Sequence, residues 1–193
     1  MSGAQDIELV LATRNAHKLR EFGRLLPGLA LRPLPAGAPV PEETGSTFAE
    51  NALIKARAAA RATNRAAFAD DSGIEAEALG WRPGVRTARF AGEHATDEEN
   101  LAKLHREAPA GSALRYVCVI AHVAPDGSEH VFEGRCAGTL AATPSGTGGF
   151  GYDPLFVPDE APGRTMAELS DAEKDAISHR GHAARALLAW LRR

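Results

Sequence analysis

A mixed-sheet α/β domain is what this sequence predicts, and three observations carry the expectation. Short apolar runs alternate with capped helical segments through the first half of the chain. The largest block of β-propensity, residues 114–124 and 129–140, flanks a Pro125-Asp126-Gly127-Ser128 turn and reads as one long hairpin. Hydrophobic residues make up 44% of the chain and charged residues 24%, as in ordinary globular proteins. The 193 residues suit a single domain over 1–193 with a real core, built in one lobe or two. No repeat, linker or low-complexity tract interrupts it.

Taken in order, residues 7–12 form a buried strand, broken by Thr13-Arg14-Asn15. Asn15 is a good N-cap for a helix over 16–26, striped by Leu19, Phe22 and Leu26 and ended by Pro27-Gly28. A short strand at 30–34 leads into a Pro/Gly-rich loop carrying Glu42 and Glu43. Thr47-x-x-Glu50 is a capping box opening a helix over 48–63. The apolar run 66–69 ends at Asp70-Asp71-Ser72-Gly73. Adjacent carboxylates repel and resist burial, so this pair is expected at a strand end in an open cleft, or in a solvated turn. Residues 74–78 alternate as an edge strand, and Thr96-x-x-Glu99 caps a helix to about 107. After the hairpin come a glycine-rich loop over 144–154, a short strand at 155–157 and a third capping box, Ser170-x-x-Glu173, whose helix reaches about 177. Ser178-His179-Arg180-Gly181 interrupts the chain before a last helix over 182–193.

A formal net charge of −3 argues against a nucleic-acid binder working by general electrostatics. No apolar run approaches the 18 residues of a membrane span, and the polar start, with an acid ahead of the first apolar run, is no secretory leader. Cys118 and Cys136 are expected on opposite faces of the hairpin, which disfavours a disulfide and fits a reducing, cytoplasmic setting.

Four polar clusters punctuate the elements. Thr13-Arg14-Asn15-x-x-Lys18 stands at a helix start, where backbone N–H groups favour anions. Glu42-Glu43 with Asp70-Asp71-Ser72 offers hard oxygen ligands. Phe150-Gly151-Tyr152-Asp153 offers a stacking platform, and Lys174 with Ser178-His179-Arg180 offers cationic donors. Held phosphates, held Mg²⁺, a stacked base and read base edges are what a nucleoside triphosphate requires. Each cluster has a plainer reading as well: a solvated lysine, dipole-pairing acids, an Asp-rich turn. Gly146-Thr147-Gly148-Gly149 lacks the Gly-Lys-Ser/Thr of a phosphate loop, His179-x-x-His182 lacks further zinc ligands, and neither Ser72 nor Ser178 sits in a nucleophile elbow.

Five stretches together resemble one family: Leu11-Ala12-Thr13-Arg14-Asn15-x-x-Lys18, Thr47-Phe48-x-Glu50-Asn51-Ala52-x-x-Lys55-Ala56, Ala69-Asp70-Asp71-Ser72-Gly73, Gly148-Gly149-Phe150-Gly151-Tyr152-Asp153-Pro154-Leu155-Phe156, and Glu173-Lys174-x-x-Ile177-Ser178-His179-Arg180-Gly181. They are similar, in order and over almost the whole chain, to the inosine triphosphate pyrophosphatases, the XTP/dITP diphosphatases. The resemblance implies a two-lobed α/β fold with a central twisted mixed sheet, flanking helices and a cleft between lobes. It implies a homodimer, and Mg²⁺-dependent cleavage of non-standard purine triphosphates to monophosphate and pyrophosphate, which cleanses the nucleotide pool. By that resemblance Thr13, Arg14, Asn15 and Lys18 bind the triphosphate, and Glu42 and Asp71 bind Mg²⁺. Asp71 accepts the proton of the attacking water, and Lys18 offsets charge on the leaving group. Ser72 touches the nucleotide, while Phe150, Gly151, Tyr152, Asp153, Lys174, His179 and Arg180 surround the base. Arg14 and His17 stand where the family often has glycine, and Trp81-Arg82 and Arg86-Thr87 depart from its commoner residues.

Asp70 and Asp71 face opposite ways on an extended backbone, so only Asp71 need face the metal, with Asp70 in support. Hypoxanthine and xanthine differ from guanine only at the 2-position. A donor near C2, from Lys174, His179, Arg180 or a backbone N–H, would leave the guanine amino group unpaired at about 1–3 kcal/mol. Two alternatives stand beside this reading: a related pyrophosphatase acting on pyrimidine triphosphates, and a non-catalytic nucleotide-binding or sensing module.

Overall fold

The computed structural model describes residues 7–193; the polar opening of the chain, Met1 to Asp6, lies outside the described residues. Seven strands form one sheet: β1 (Glu8–Leu11), β2 (Ala30–Pro33), β3 (Ala67–Ala76), β4 (Arg82–Pro83), β5 (Ala113–Val123), β6 (Glu129–Leu140) and β7 (Phe156–Pro158). The strand order is β2-β1-β3-β5-β6-β7, with β4 paired to β3. β1 runs parallel to β2 and β3, whereas β4 on β3 and β7 on β6 are antiparallel, so the sheet is mixed as expected. Among the described residues five α-helices accompany it: α1 (Ala16–Leu25), α2 (Phe48–Thr63), α3 (Asp97–Glu107), α4 (Asp171–Ile177) and α5 (His179–Leu191). No helix among the described residues is long and apolar enough to cross a membrane.

Local chemistry fixes most of the helix starts. Asn15 Oδ1 accepts from the backbone N–H groups of His17 and Lys18, which begins α1. Thr47/Glu50, Thr96/Glu99 and Ser170/Glu173 each close the reciprocal capping box ahead of α2, α3 and α4. Asn64 in the left-handed conformation (φ 52°) ends α2.

The chain folds into two compact units, one comprising residues through Asp71 with Val119–Phe132 and Ala183–Arg193, the other Ser72–Cys118 with Glu133–His182. In the first, Leu9, Val10 and Leu11 of β1 and Phe68 of β3 are buried with Phe22 and Leu26, and Phe22 meets Phe68 edge-to-face at 5.3 Å. α2 presents a stripe of buried small residues, Ala52, Ala56, Ala59 and Ala60, which permits close packing. In the second, Ile74, Leu104, Leu114, Tyr116, Leu155 and Phe156 anchor one continuous apolar cluster. Cys118 and Cys136 are buried free thiols, and burial pushes the Cys136 thiol up to about 12.

Two sequence expectations are corrected. The Asp-Asp-Ser-Gly stretch is neither a strand end nor a turn: β3 runs unbroken through it, and Asp70 and Asp71 are both buried. The physical reason is compensation, since each carboxylate meets a lysine from the same unit (below). The break before the last helix is shorter than expected. Only Ser178 interrupts, and α5 starts at His179, because the Ser178 hydroxyl accepts from Gly181 N and holds the new helical turn.

Candidate active site

Polar side chains gather in two places, one in each unit. In the first, β1 delivers the chain to the N-terminus of α1 through Thr13, whose hydroxyl accepts from Asn15 N. Arg14 is drawn aside: its Nη2 donates to the carbonyls of Ala36 and Ala38, tying the Pro/Gly loop down. Lys18, one turn into α1, reaches Asp70 on β3 at 2.9 Å, a contact in which the aspartate side chain is fully buried. Asp71, on the other side of the strand, accepts from Lys55 Nζ at 3.1 Å and from Asn51 Nδ2 at 3.3 Å, both from α2. Lys55 also donates to Glu43 at 2.6 Å. A cavity of about 230 Å³ opens here, lined by Thr13, Asn15, Lys18, Glu43, Lys55 and Asp70 among others.

The alternation of a strand explains the pairing. Neighbouring residues on an extended backbone point to opposite sides, so Asp70 faces α1 and Asp71 faces α2. Burial raises the Asp71 carboxyl above its ordinary range and Glu43 adds to the rise, while Lys55 and Lys18 pull it back without cancelling it. Burial disfavours the Lys55 ammonium, yet Asp71, Asp70 and Glu43 together overcome that and raise its pKa. The pocket therefore selects positive charge among its carboxylates. Among the described residues, no three or more His, Cys, Asp or Glu side chains stand together as a ready metal-binding group. The expected ligand Glu42 is exposed, and it is Glu43, the next residue, that shares the Lys55 ammonium with Asp71.

In the second unit the glycine-rich loop is fastened from within. Asp153, buried, accepts from Phe150 N at 2.9 Å and from Lys174 Nζ at 2.6 Å through Oδ2, and from the Tyr116 hydroxyl at 3.1 Å through Oδ1. Gly149, at φ +68°, makes room for this: a Cβ there would stand 1.9 Å from Asp153 Oδ2. Gly151 N donates to Asp97 at the start of α3, and the Tyr152 hydroxyl donates to the Thr87 carbonyl. The Phe150 ring is left half-buried, with Lys174 Nζ 5.1 Å and the Arg180 guanidinium 5.7 Å from its centroid. Arg180 donates to Ser72 Oγ at 2.8 Å, and the His179 ring lies stacked on Tyr116 at 4.5 Å and 11°.

The expected site residues divide between the two units, with Glu42 exposed and outside the first cluster. Thr13, Arg14, Asn15, Lys18, Glu42 and Asp71 belong to the first unit; Ser72, Phe150, Gly151, Tyr152, Asp153, Lys174, His179 and Arg180 belong to the second. Sequence reasoning gave no role to Asn51, Lys55 or Tyr116. For the first two a signal existed, because positions 51 and 55 are one turn apart on a capped helix, a polar pair on the face with Ala52 and Ala56. Tyr116 reads as an ordinary strand aromatic, and its partner Asp153 is 37 residues away.

A family model described as the Ham1 family matches residues 9–190. The chain is similar to the dITP/XTP pyrophosphatase of Streptomyces avermitilis, 48% identical over 95% of this chain and 96% of that protein. It is similar to the dITP/XTP pyrophosphatase of Cutibacterium acnes, also 48% identical, over 93% of this chain and 94% of that protein. Among solved structures, the Staphylococcus aureus Ham1 protein superposes with a TM-score of 0.85 at 40% identity, covering 96% of this chain and 98% of that one.

Proposed function

The chain belongs to the Ham1 family, and from that premise we propose that it is a dITP/XTP pyrophosphatase, hydrolysing non-standard purine triphosphates to monophosphate and pyrophosphate. The observation that carries the reading is the buried Lys18–Asp70 and Lys55–Asp71 arrangement at the N-terminus of α1. A binding module gains nothing from two carboxylates beside an anion pocket, whereas hydrolysis needs an acceptor for the proton of water.

The first-unit cluster holds the triphosphate. Thr13 and Asn15 line its seat, and Lys18 and Lys55 offset phosphate charge there. Arg14 serves this seat at one remove, by fixing the loop over it. The donor set is all carboxylate oxygen, and its field already favours the Lys55 cation, so it suits a hard divalent ion. Glu43 and Asp71, which share the Lys55 ammonium, are the groups that would hold Mg²⁺, which would neutralise phosphate charge. Asp71 orients the attacking water and takes its proton; the rise of its carboxyl belongs to the metal-free protein. The water oxygen bonds to the α-phosphorus, the bond from that phosphorus to the bridging oxygen breaks, and pyrophosphate leaves with the electron pair.

The second-unit cluster holds the base. Phe150 offers a face for stacking. Lys174 is paired with Asp153, and Lys174, Arg180 and His179 together supply donors for polar edges. A donor facing C2 admits hypoxanthine and xanthine and leaves the guanine amino group unpaired. The enzyme acts as a cytoplasmic homodimer, a state that light scattering measures directly.

The test is pyrophosphate release from dITP, ITP, XTP, GTP, ATP and dTTP with and without Mg²⁺. Release from the first three, dependent on the metal, is the expected result. Preference for dTTP would move the protein to the pyrimidine reading, and no release from any would make it a binder.

A further inference from the structure

Tyr116 on β5 touches both the loop latch and the base-reading side chains. Its hydroxyl donates to Asp153 Oδ1, and the other oxygen of the same carboxylate takes Lys174 Nζ and Phe150 N. Its ring stacks on His179 at 4.5 Å and meets Phe156 at 4.5 Å on a tilt. Tyr116 is buried, and burial together with the Asp153 charge keeps its phenol well above the ordinary range. The phenol thus keeps its proton for the hydrogen bond to Asp153.

We propose that Tyr116 is a positioning residue for purine recognition: its hydroxyl holds the Asp153 latch that sets Phe150 and Lys174, and its ring face sets the plane of His179. Asp153 on this account reads no base edge. Its oxygens take three donors from the protein, so its task is to hold the loop that carries Phe150. Tyr116 contacts substrate nowhere and acts through other groups. Loosening it should weaken binding of ground and transition states alike, which raises KM and spares kcat.

The inference rests on the base being held by this unit, and the experiment separates the two. Native enzyme, Tyr116→Phe, Asp153→Ala, the double variant and Arg180→Ala are compared by steady-state hydrolysis of ITP and by thermal melting. Phenylalanine keeps the stack on His179 and removes only the hydroxyl. The expected result is a KM for ITP raised about threefold to tenfold in Y116F, on the scale of one ordinary hydrogen bond because the hydroxyl acts at one remove, with kcat within about twofold of native. In the Asp153→Ala background the same change should add nothing, because the hydroxyl acts only through that side chain, which is then gone. An unchanged KM in Y116F while Arg180→Ala raises it overturns the role of Tyr116 and leaves the base site intact. An unchanged KM in both overturns the base site itself. A Y116F protein that melts below assay temperature shows that the hydroxyl carries stability and not affinity, and the inference falls.

Discussion

At the scale of single residues, two aspartates adjacent in sequence are made unequal by where each strand side chain points. Asp70 is fully buried and paired with Lys18, so it anchors α1 to β3. Removing one member of such a buried pair costs about 3–5 kcal/mol, and Asp70→Ala should lower stability by that order in a urea titration. Asp71 keeps a more open pair with Lys55 and a raised pKa. Asp71→Asn should lower kcat at least a hundredfold at saturating Mg²⁺ while the melting curve stays cooperative; normal turnover would remove Asp71 from both proton transfer and metal binding. In the metal-free protein its carboxyl titrates above the ordinary 3.8. Lys55 is the strongest influence holding that value down, so Lys55→Met should move the midpoint further up, read from the Asp71 side-chain carbon by NMR.

At the scale of elements, the capped helices were legible and the central strand was not, for a physical reason. A capping box is satisfied by atoms three residues apart, so Thr47/Glu50 and Thr96/Glu99 announce α2 and α3 before anything else folds. Thr47→Ala should cost about 1 kcal/mol in equilibrium unfolding, because one N–H at the start of α2 loses its partner. Asp70-Asp71-Ser72-Gly73 has the local chemistry of a turn, and only the lysines brought by α1 and α2 make it a buried strand. The same limit hid Tyr116, whose partner lies on a distant loop. That loop is itself an element with a narrow tolerance. Gly149→Ala would set a methyl against the Asp153 carboxylate and force a side chain to φ +68°. The backbone alone costs about 1–2 kcal/mol, and the displaced latch should raise KM for ITP several-fold with a smaller change in kcat, which steady-state kinetics measures.

At the scale of the whole molecule, the proposed function asks one chain to supply an anion seat with its proton acceptor and a base platform with its cationic readers. The four polar clusters seen in the sequence are ordered by the fold into two groups, one in each compact unit. Neither group explains a substrate alone. A phosphate seat without a base reader would hydrolyse ATP, and a base reader without the seat would only bind. The expectation that both serve one nucleotide is what the family resemblance added to the residue-by-residue reading.

The central claim is that water, oriented by Asp71, attacks the α-phosphorus of a non-standard purine triphosphate. Turnover of dITP with Mg²⁺ in ¹⁸O-labelled water, followed by mass spectrometry of both products, tests it most directly. The account predicts one labelled oxygen in the deoxyinosine monophosphate and none in the pyrophosphate. Label in pyrophosphate, or release of orthophosphate in its place, would mean attack at the β- or γ-phosphorus and would contradict it.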